Sequence, residues 1–387
     1  LHVARTANPR ALELIRDRQA IAREERHTKE GYLYDLRWVV ESGGQVKLSV
    51  RECSACHNRV LADGSVVVGG QGNFPDVPAG ELANILFADL PGPVSPGAKP
   101  PSAGEAAYAA FGVPWIKDDI HGRMKTMKDE EAQALVDADV PGTFARVNGS
   151  PYWTSKIPPL WETRHHRYLD HTGTHRNRGP ADIARYAALV TTADDGSIGP
   201  HRFLSDYQRR IRVRYPDDAL FALGMYISYG LKAPENPNKP SALSQAGEKV
   251  FGRAACLACH TPPAYTSGAL MPVDGFTPPD SPVTKSLNIL RSMRLGADPG
   301  VALKTRKGTG YYRVPSLRNV WARPLIEHSG SIASLEDWFD RKRLRPDYVP
   351  SGWKGPGVKT RAVPGHEFGM DLSAEDKRAL IAFLRTL

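Results

Sequence analysis

Cysteine is scarce in this sequence, and a long apolar run is missing. Only four of the 387 residues are Cys, too few for a disulfide-stabilised scaffold of this length. No stretch reaches the roughly eighteen apolar residues of a transmembrane helix, so no membrane span is expected. The hydrophobic fraction of 41% is nevertheless enough for sizeable cores and excludes a wholly disordered chain. The length indicates two or three domains, and 35 Gly with 32 Pro indicate long loops.

The chain is basic, with 51 Lys and Arg against 42 Asp and Glu and a formal charge of +9. The charge is spread along the chain with acidic residues among the bases, so binding to nucleic acid is not predicted. It fits either a solvated basic surface or electrostatic attraction of an acidic protein partner or an anionic substrate. The chain begins at Leu1 without Met and without a signal-like apolar stretch, which fits a removed leader or a start inside a longer chain.

All four cysteines belong to two short motifs of the same form, Cys-x-x-Cys-His. The thiols are Cys53, Cys56, Cys256 and Cys259, and the histidines that follow them are His57 and His260. This form is the attachment signature of c-type haem. Two thiols one helical turn apart reach the two vinyl groups of a haem, and the next imidazole points at the iron from the same side. The sequence therefore predicts two covalently bound haem c groups with His57 and His260 as proximal ligands.

Zinc and redox-disulfide sites fit the two motifs less well. A zinc ribbon needs its two Cys pairs about 15–20 residues apart, whereas these pairs lie about 200 residues apart and each has its own His. A thioredoxin-like redox pair needs only one motif, in a βαβ context that is not indicated here. Because haem is attached covalently outside the cytoplasm, we expect a periplasmic or secreted protein.

Helical patterns are the main secondary-structure signal, so the predicted fold class is mainly α. Ser244 and Ser373 are expected as helix N-caps. The Pro-rich segment 233–240 is the best linker candidate. We therefore predict an expanded N-terminal haem domain over 1–235, which holds the catalytic haem, and a C-terminal haem domain over 236–387, which holds the electron-transfer haem. Helices are predicted over residues 9–28, 129–138, 181–189, 217–229, 245–251 and 373–387.

One run in the C-terminal half resembles a known family. Residues Gly310–Gly330, followed by Ser334–Asp337, are similar to a stretch of the bacterial di-haem cytochrome c peroxidase and MauG superfamily, in which an Arg- and Pro-bearing segment precedes a His-x-Gly-Ser-like turn and a short helix. The resemblance covers both haem motifs and most of the C-terminal domain. It implies two cytochrome c-like domains with long loops and haems near the domain interface. The motif spacing and Gly365–Gly369 look like the rubber-oxygenase (RoxA-like) branch, although the chain after Cys256 is shorter than in that branch.

The resemblance implies that the second haem has protein ligands on both sides of its iron. His366 is the favoured partner of His260, because Gly365–Gly369 looks like the segment that carries the distal histidine in the oxygenase branch. Met370 is close by and is an alternative that would raise the reduction potential. His328 is a third candidate, although its turn more often has a structural role in this family.

The first haem is the expected reaction site, with its distal side open to hydrogen peroxide or dioxygen. A distal base and a cation or polar group are needed there, and His171, His175 and Arg176 are the candidates, each against the alternative of a polar surface loop. Tyr186 falls near the position where an aromatic residue covers the oxygen site in the oxygenase branch.

Other features of the family have weaker counterparts here. The family places a tryptophan between the haems in a Trp-Asp-Gly-like turn, and here that turn reads His171–Gly173. Trp161 or Trp115 is an alternative electron relay, and otherwise both are core aromatics. Met124 and Met127 fit core packing better than an axial sulfur. Calcium lies between the haems of the peroxidases, but no Asp-rich loop indicates a calcium site in this chain.

These observations predict a di-haem c-type oxidoreductase that resembles the cytochrome c peroxidases. The N-terminal haem activates hydrogen peroxide or dioxygen, and the C-terminal haem relays electrons. The expected partner is a small, acidic electron-donor protein or a protein substrate, although an organic molecule also fits. Two alternatives remain, namely a RoxA-like dioxygenase that cleaves an organic substrate and an electron-transfer cytochrome without catalysis, which the length of the first domain disfavours.

Overall fold

The chain folds into short helices joined by long irregular segments, with small strand pairs between them. The structure is a computed structural model. It describes residues 2–3, 8–17, 19, 36–40, 43–50, 53–73, 82, 101–146, 148–191, 197–198, 200–202, 216–286 and 293–387. No helix within these ranges is long and apolar enough to cross a membrane.

Helices carry most of the regular structure in the described residues, as the sequence predicts. Short 3₁₀-helical segments lie at Ile120–Thr126, Thr163–His165, Cys256–Ala258, Val320–Ala322 and Arg341–Leu344, and a π-helical turn lies at Tyr226–Gly230. The α-helices are α1 (Pro9–Arg16), α2 (Cys53–His57), α3 (Ala103–Phe111), α4 (Asp129–Val136), α5 (Pro180–Thr191), α6 (Asp217–Met225), α7 (Ala242–Arg253), α8 (Pro282–Ser286), α9 (Gly300–Lys304), α10 (Leu335–Trp338) and α11 (Ala374–Thr386).

The strands are short and antiparallel. Three of them form a sheet in the order β1-β3-β2, and the others form the two-stranded pairs β4-β5, β6-β7, β8-β9, β10-β11 and β12-β13. The strands are β1 (His2–Val3), β2 (Leu36–Val40), β3 (Val46–Val50), β4 (Asn58–Val60), β5 (Val66–Val68), β6 (Thr143–Phe144), β7 (Ser155–Lys156), β8 (Tyr168–Leu169), β9 (His175–Arg176), β10 (Ser197–Ile198), β11 (His201–Arg202), β12 (Leu270–Pro272) and β13 (Tyr311–Arg313).

The best-defined core lies where α7 packs against α11. Phe251, Phe383 and Leu380 are buried there together with Val320. The two helices approach so closely at Gly247 that a Cβ atom on this residue would lie 1.8 Å from the carbonyl oxygen of Ala379. Only glycine permits this crossing, which closes the C-terminal half around the second Cys-x-x-Cys-His motif.

Most of the predicted helices are present, with shifted ends. Helix α7 begins three residues before the expected Gln245, because Ser241 is its N-cap and Ser244 occupies the third helical position of a capping box. The expectation that Ser244 caps this helix is therefore wrong, whereas Ser373 caps α11 as predicted. The helix expected over 9–28 ends at Arg16, and residues 18 and 20–28 lie outside the described residues. The division at residue 235 stays a prediction.

Candidate functional site

The first Cys-x-x-Cys-His motif forms one helical turn, α2. The imidazole Nδ1 of His57 lies 3.0 Å from the carbonyl oxygen of Pro158. A ring nitrogen in contact with a carbonyl carries the proton, which leaves the lone pair on Nε2. Burial lowers the pKa of His57 to about 4, so the ring is neutral at pH 7. A neutral imidazole that is oriented through Nδ1 and has a free Nε2 is suited to bind a metal.

The second motif repeats this arrangement, although its residues Cys256–Ala258 form a 3₁₀ turn instead of an α-helical one. His260 directs Nδ1 at the carbonyl oxygen of Tyr265, at 3.1 Å; the backbone of Pro315 is a second hydrogen-bond partner of the ring, and burial lowers the pKa of His260. With Nδ1 held by a carbonyl, Nε2 would be the nitrogen that binds iron. Burial also raises the pKa of the Cys256 thiol to about 11. Such an environment disfavours the thiolate that a zinc site requires, which supports haem attachment over zinc.

A cavity of about 250 Å³ adjoins the second motif. Phe251, Leu380 and Leu384 from the α7–α11 core form an apolar part of its lining, and His260 lies in its wall. The lining also includes charged side chains, among them Lys156 from the N-terminal half. A haem has the same division, since its macrocycle is apolar and its two propionates are charged. The lining therefore fits a haem attached to Cys256 and its neighbour Cys259.

His366 lines the same cavity as His260. The imidazole Nδ1 of His366 is fully buried and has no hydrogen-bond partner among the described residues. Its ring meets Trp338 edge-on at 5.2 Å, and its carbonyl oxygen accepts a hydrogen bond from the fully buried Arg343 at 2.8 Å. Burial, then the neighbouring His260 and Arg343, lower the pKa of His366 to about 4. A neutral ring without a partner in the cavity wall is available as a second axial ligand.

The two alternative ligands have different surroundings. Met370 is buried but is not part of the cavity wall. His328 does line the cavity, yet its Nδ1 is paired with the carboxylate of Glu327 and its ring stacks on Tyr312 at 4.3 Å. His366 therefore remains the favoured ligand, and the assignment stays a prediction.

A group of polar side chains, here called the Asp170 cluster, comprises Asp170, His175, Tyr186 and Lys307. The Tyr186 hydroxyl donates to Asp170 Oδ2 at 3.0 Å, and Lys307 Nζ lies 3.0 Å from the same oxygen. The ring of His175 packs edge-on against that of Tyr186 at 4.9 Å. The Asp170 and Lys307 side chains are 11% and 18% exposed, so this ion pair is only weakly screened by solvent.

The ionisation states of the cluster follow from its burial. Burial alone would raise the pKa of Asp170, but Lys307 and His171 hold it well below its usual range. Burial, reinforced by the Asp170 charge, raises the pKa of Tyr186 well above that of a free phenol. Burial lowers the pKa of His175. At pH 7 the cluster therefore contains a carboxylate, a neutral phenol and a neutral imidazole.

Arg146 connects the Asp170 cluster to the first motif. Its positive charge lowers the pKa of His57 and also acts on Asp170, Tyr186 and His175. The guanidinium therefore lies within electrostatic range of both the proximal histidine and the cluster, which makes the cluster the best candidate for the polar side of a haem held by His57.

The four expected catalytic residues do not all come together. His175 and Tyr186 are in contact within the Asp170 cluster. His171 instead places Nε2 at 2.9 Å from the carbonyl oxygen of Lys156 and lines the cavity of the second motif. Arg176 is exposed to solvent. The catalytic role of these four residues stays a prediction.

Sequence reasoning missed Asp170, Lys307 and Arg146. Asp170 stands directly before the expected His171 and has a positive φ of 67°, which a sequence pattern does not reveal. Lys307 and Arg146 come from segments far from Asp170 along the chain, so no local spacing indicates their contact. The one signal in the sequence was that Asp170 directly precedes His171, which places a carboxylate beside a candidate base.

The remaining candidates occupy ordinary packing positions, with one exception. Met124 is buried with Phe111 in a core cluster, and Met127 packs against it. Trp115 is 41% exposed. Trp161 is buried, donates its indole N–H to the carbonyl oxygen of Val68 at 2.8 Å, and lines the cavity of the second motif. It therefore connects the strand pair that follows the first motif to the second site.

The part of the chain that the structure describes contains no cluster of side chains suited to a metal ion without a porphyrin. No group of three or more His, Cys, Asp or Glu side chains is arranged there to hold one. The two Cys-x-x-Cys-His motifs each offer one imidazole and two sulfurs, a donor set that suits a covalently attached haem rather than a calcium ion.

Comparison with known proteins gives only distant likenesses. Neither a family model nor a curated protein matches the chain. One solved structure, a MauG-like protein associated with microbial copper homeostasis, is 16% identical over 77% of this chain and 94% of its own, with a TM-score of 0.37. Hydrazine synthase of Kuenenia stuttgartiensis is 15% identical over 76% of this chain and 98% of its own, with a TM-score of 0.34. Likeness at this level assigns neither fold nor activity, so the function has to be argued from the residues.

Proposed function

We propose that this protein is a periplasmic or secreted di-haem c-type oxidoreductase, in which the haem of the first motif reacts with hydrogen peroxide or dioxygen and the haem of the second motif relays electrons. The observation that carries the proposal is the shared geometry of His57 and His260. Each imidazole directs Nδ1 at a backbone carbonyl, an orientation that would leave Nε2 to bind the iron. That geometry recurs directly after two Cys-x-x-Cys pairs, where a c-type haem requires it.

At the first site, the chain supplies one axial ligand and a set of proton-handling groups. Haem bound there would supply an iron able to react with peroxide or dioxygen. The neutral ring of His175 can accept a proton from a bound oxidant. Lys307 and Arg146 hold positive charge near the position where negative charge develops, and Asp170 orients the Tyr186 hydroxyl at 3.0 Å.

At the second site, the chain supplies two imidazoles and a largely apolar cavity wall. His260 and His366 would both hold the second haem in this proposal, and a haem held by two protein ligands would supply electron transfer rather than catalysis. Trp161 contributes to this wall and contacts the strand pair after the first motif. It is the proposed bridge for electrons between the two halves, 1–235 and 236–387.

Two measurements on the natively matured protein test the proposal. The intact mass should show two haem adducts, and their absence would remove the basis of the proposal. The oxidised spectrum should contain one low-spin haem and one haem that changes when peroxide is added. Two low-spin haems that ignore peroxide would favour the alternative, an electron-transfer cytochrome.

Further tests address the substrate and the ligand. Product analysis with isotopically labelled dioxygen separates a RoxA-like dioxygenase, which incorporates the label, from a peroxidase, which does not. Replacement His366→Gly should convert the low-spin haem to high-spin, and an unchanged spectrum would refute this ligand. The proposed acidic donor protein should react more slowly as salt is raised, because the chain carries a net charge of +9.

A further inference from the structure

The cavity of the second motif is lined by a group of cations, here called its basic end. Lys156, Arg313 and Arg323 belong to this group together with the single carboxylate of the lining, Glu327, and the charges of the other three all act on Lys156. The Glu327 carboxylate is already engaged. One of its oxygens pairs with Nδ1 of His328, and the other accepts hydrogen bonds from the backbone amide and the hydroxyl group of Ser329. The basic end therefore holds an excess of positive charge in a place shielded from water.

The described residues offer these cations few anionic partners. Nε of Arg323 is buried without an acceptor, and the other Arg323 donors are directed at the carbonyl oxygens of Ser316 and Arg318. Arg313 donates from Nε to the carbonyl oxygen of Asp170 at 2.7 Å. Lys156 lies within electrostatic range of Arg323, Glu327 and Arg313. Buried positive charges that face mainly carbonyl oxygens and one another are costly unless an anion pairs with them.

We propose that Lys156, Arg313 and Arg323 bind the two propionate carboxylates of the second haem. This inference rests on the proposed function, since it needs a haem at Cys256 and Cys259. The positive charges of Lys156, Arg313 and Arg323 would be available to the two propionates, because the Glu327 carboxylate is engaged by His328 and Ser329. The apolar side chains of the lining would contact the macrocycle, and Lys156 from the N-terminal half would contact a propionate.

Backbone hydrogen bonds hold two of the cations in position. The amide of Lys156 donates to the carbonyl oxygen of His328 at 2.9 Å, and the Lys156 carbonyl oxygen lies 2.9 Å from His171 Nε2. The amide of Arg313 donates to the carbonyl oxygen of His171 at 3.0 Å. Lys156 and Arg313 are thus joined through His171, and a site prepared in this way needs little rearrangement when the anion binds.

The electrostatics of Lys156 agree with an anion at this end. Burial lowers its pKa to about 7, and the charges of Arg323 and Arg313 contribute to the shift. Two carboxylates beside the ammonium group would favour its charged form again. Lys156 belongs to strand β7 in the N-terminal half, so the second haem would be held by residues from both sides of the predicted boundary.

The test compares Lys156→Met with Lys156→Arg in protein whose intact mass shows two haem adducts. Loss of a cation beside the propionates stabilises the ferric form, so the midpoint potential of the second haem should fall in Lys156→Met and recover in Lys156→Arg. Lys249→Met, which removes an exposed lysine of α7, is the matched control and should leave the potential unchanged.

A second measurement keeps the inference testable if Lys156→Met matures poorly. Infrared difference spectra of the unsubstituted and Lys156→Gln proteins, recorded on reduction, report the propionate carboxylate bands directly. These bands should shift between the two proteins. The inference is overturned if the bands are unmoved, or if Lys156→Met changes the potential no more than Lys249→Met. A chain without haem adducts would instead refute the proposed function before the propionate site is reached.

Discussion

The segment that carries His366 depends on one buried guanidinium, and its removal has a calculable effect. Arg343 is fully buried and donates to the carbonyl oxygens of Trp338, Val363 and His366 at 2.9, 2.6 and 2.8 Å. It also lies 4.1 Å from the centre of the Trp338 ring. Replacement Arg343→Met leaves three buried acceptors without donors.

The expected loss of stability follows from these contacts. An unsatisfied buried acceptor costs about 1–3 kcal/mol, and the lost contact of the cation with the Trp338 ring adds roughly 0.5–2 kcal/mol. Removing a buried charge relieves part of its desolvation penalty. Three such acceptors and the ring contact amount to at least about 3.5 kcal/mol, so after this relief the free energy of unfolding should still fall by about 2 kcal/mol or more. His366 should also lose its fixed position, because its backbone carbonyl is one of the three acceptors.

Denaturant unfolding of the haem-loaded protein measures the stability, and the optical spectrum measures the ligation. Arg343→Met should lower the unfolding midpoint and turn part of the low-spin signal into high-spin signal. Arg343→Lys keeps the charge but cannot reach three carbonyl oxygens in this geometry. Its unfolding midpoint and its low-spin signal should therefore lie between those of the unsubstituted protein and those of Arg343→Met. The reasoning is refuted if Arg343→Met loses less than about 1 kcal/mol and keeps a fully low-spin second haem.

Three further predictions concern separate parts of the molecule. Gly247→Ala should destabilise the protein by about 1–3 kcal/mol or more in thermal unfolding, because its Cβ would lie 1.8 Å from the Ala379 oxygen; an unchanged melting temperature would contradict this. Glu327 has its pKa lowered to about 2, the effect of burial being outweighed by its His partner, so its contribution of up to about 3 kcal/mol is present above pH 4.5 and is lost as pH falls through 2. Glu327→Gln should flatten this part of the acid-unfolding curve, and a curve that keeps its slope would show that another group is responsible. Tyr186→Phe removes the donor to Asp170, and should lower peroxide turnover while both haem spectra are retained; full turnover would exclude the Asp170 cluster from the reaction.

The haem motifs could be predicted because their chemistry is local. Cys53 to His57 form one helical turn, so the spacing of the letters already contains the geometry of the ligands. The helix around Ala374–Thr386 was equally accessible, since Ser373 at its N-cap and its apolar stripe both act over neighbouring residues. The start of α7 was misplaced because two serines three residues apart, Ser241 and Ser244, are both good caps, and the packing of the helix decides between them.

The polar surroundings of the haem sites could not be predicted, because they depend on contacts between distant segments. The pairing of Lys307 with Asp170 joins two loops that share no pattern. His171 was expected among the catalytic groups, yet its ring lies against the Lys156 carbonyl on the second cavity, and the residue before it has a positive φ. A non-glycine residue rarely adopts such a backbone conformation, and composition alone does not reveal it.

Asp170 and His171 provide a physical connection between the two proposed haem sites. Asp170 belongs to the cluster near the first motif, and the next residue, His171, lines the cavity of the second. Arg313 binds both of their carbonyl oxygens, one through Nε and the other through its backbone amide. A displacement of Asp170 when the first site changes charge would therefore move Arg313, which lies at the basic end of the second cavity. Coupling of the two sites through this segment requires that Asp170→Asn alter the midpoint potential of the second haem as well as reactivity at the first, and a change confined to the first would show that the sites act independently.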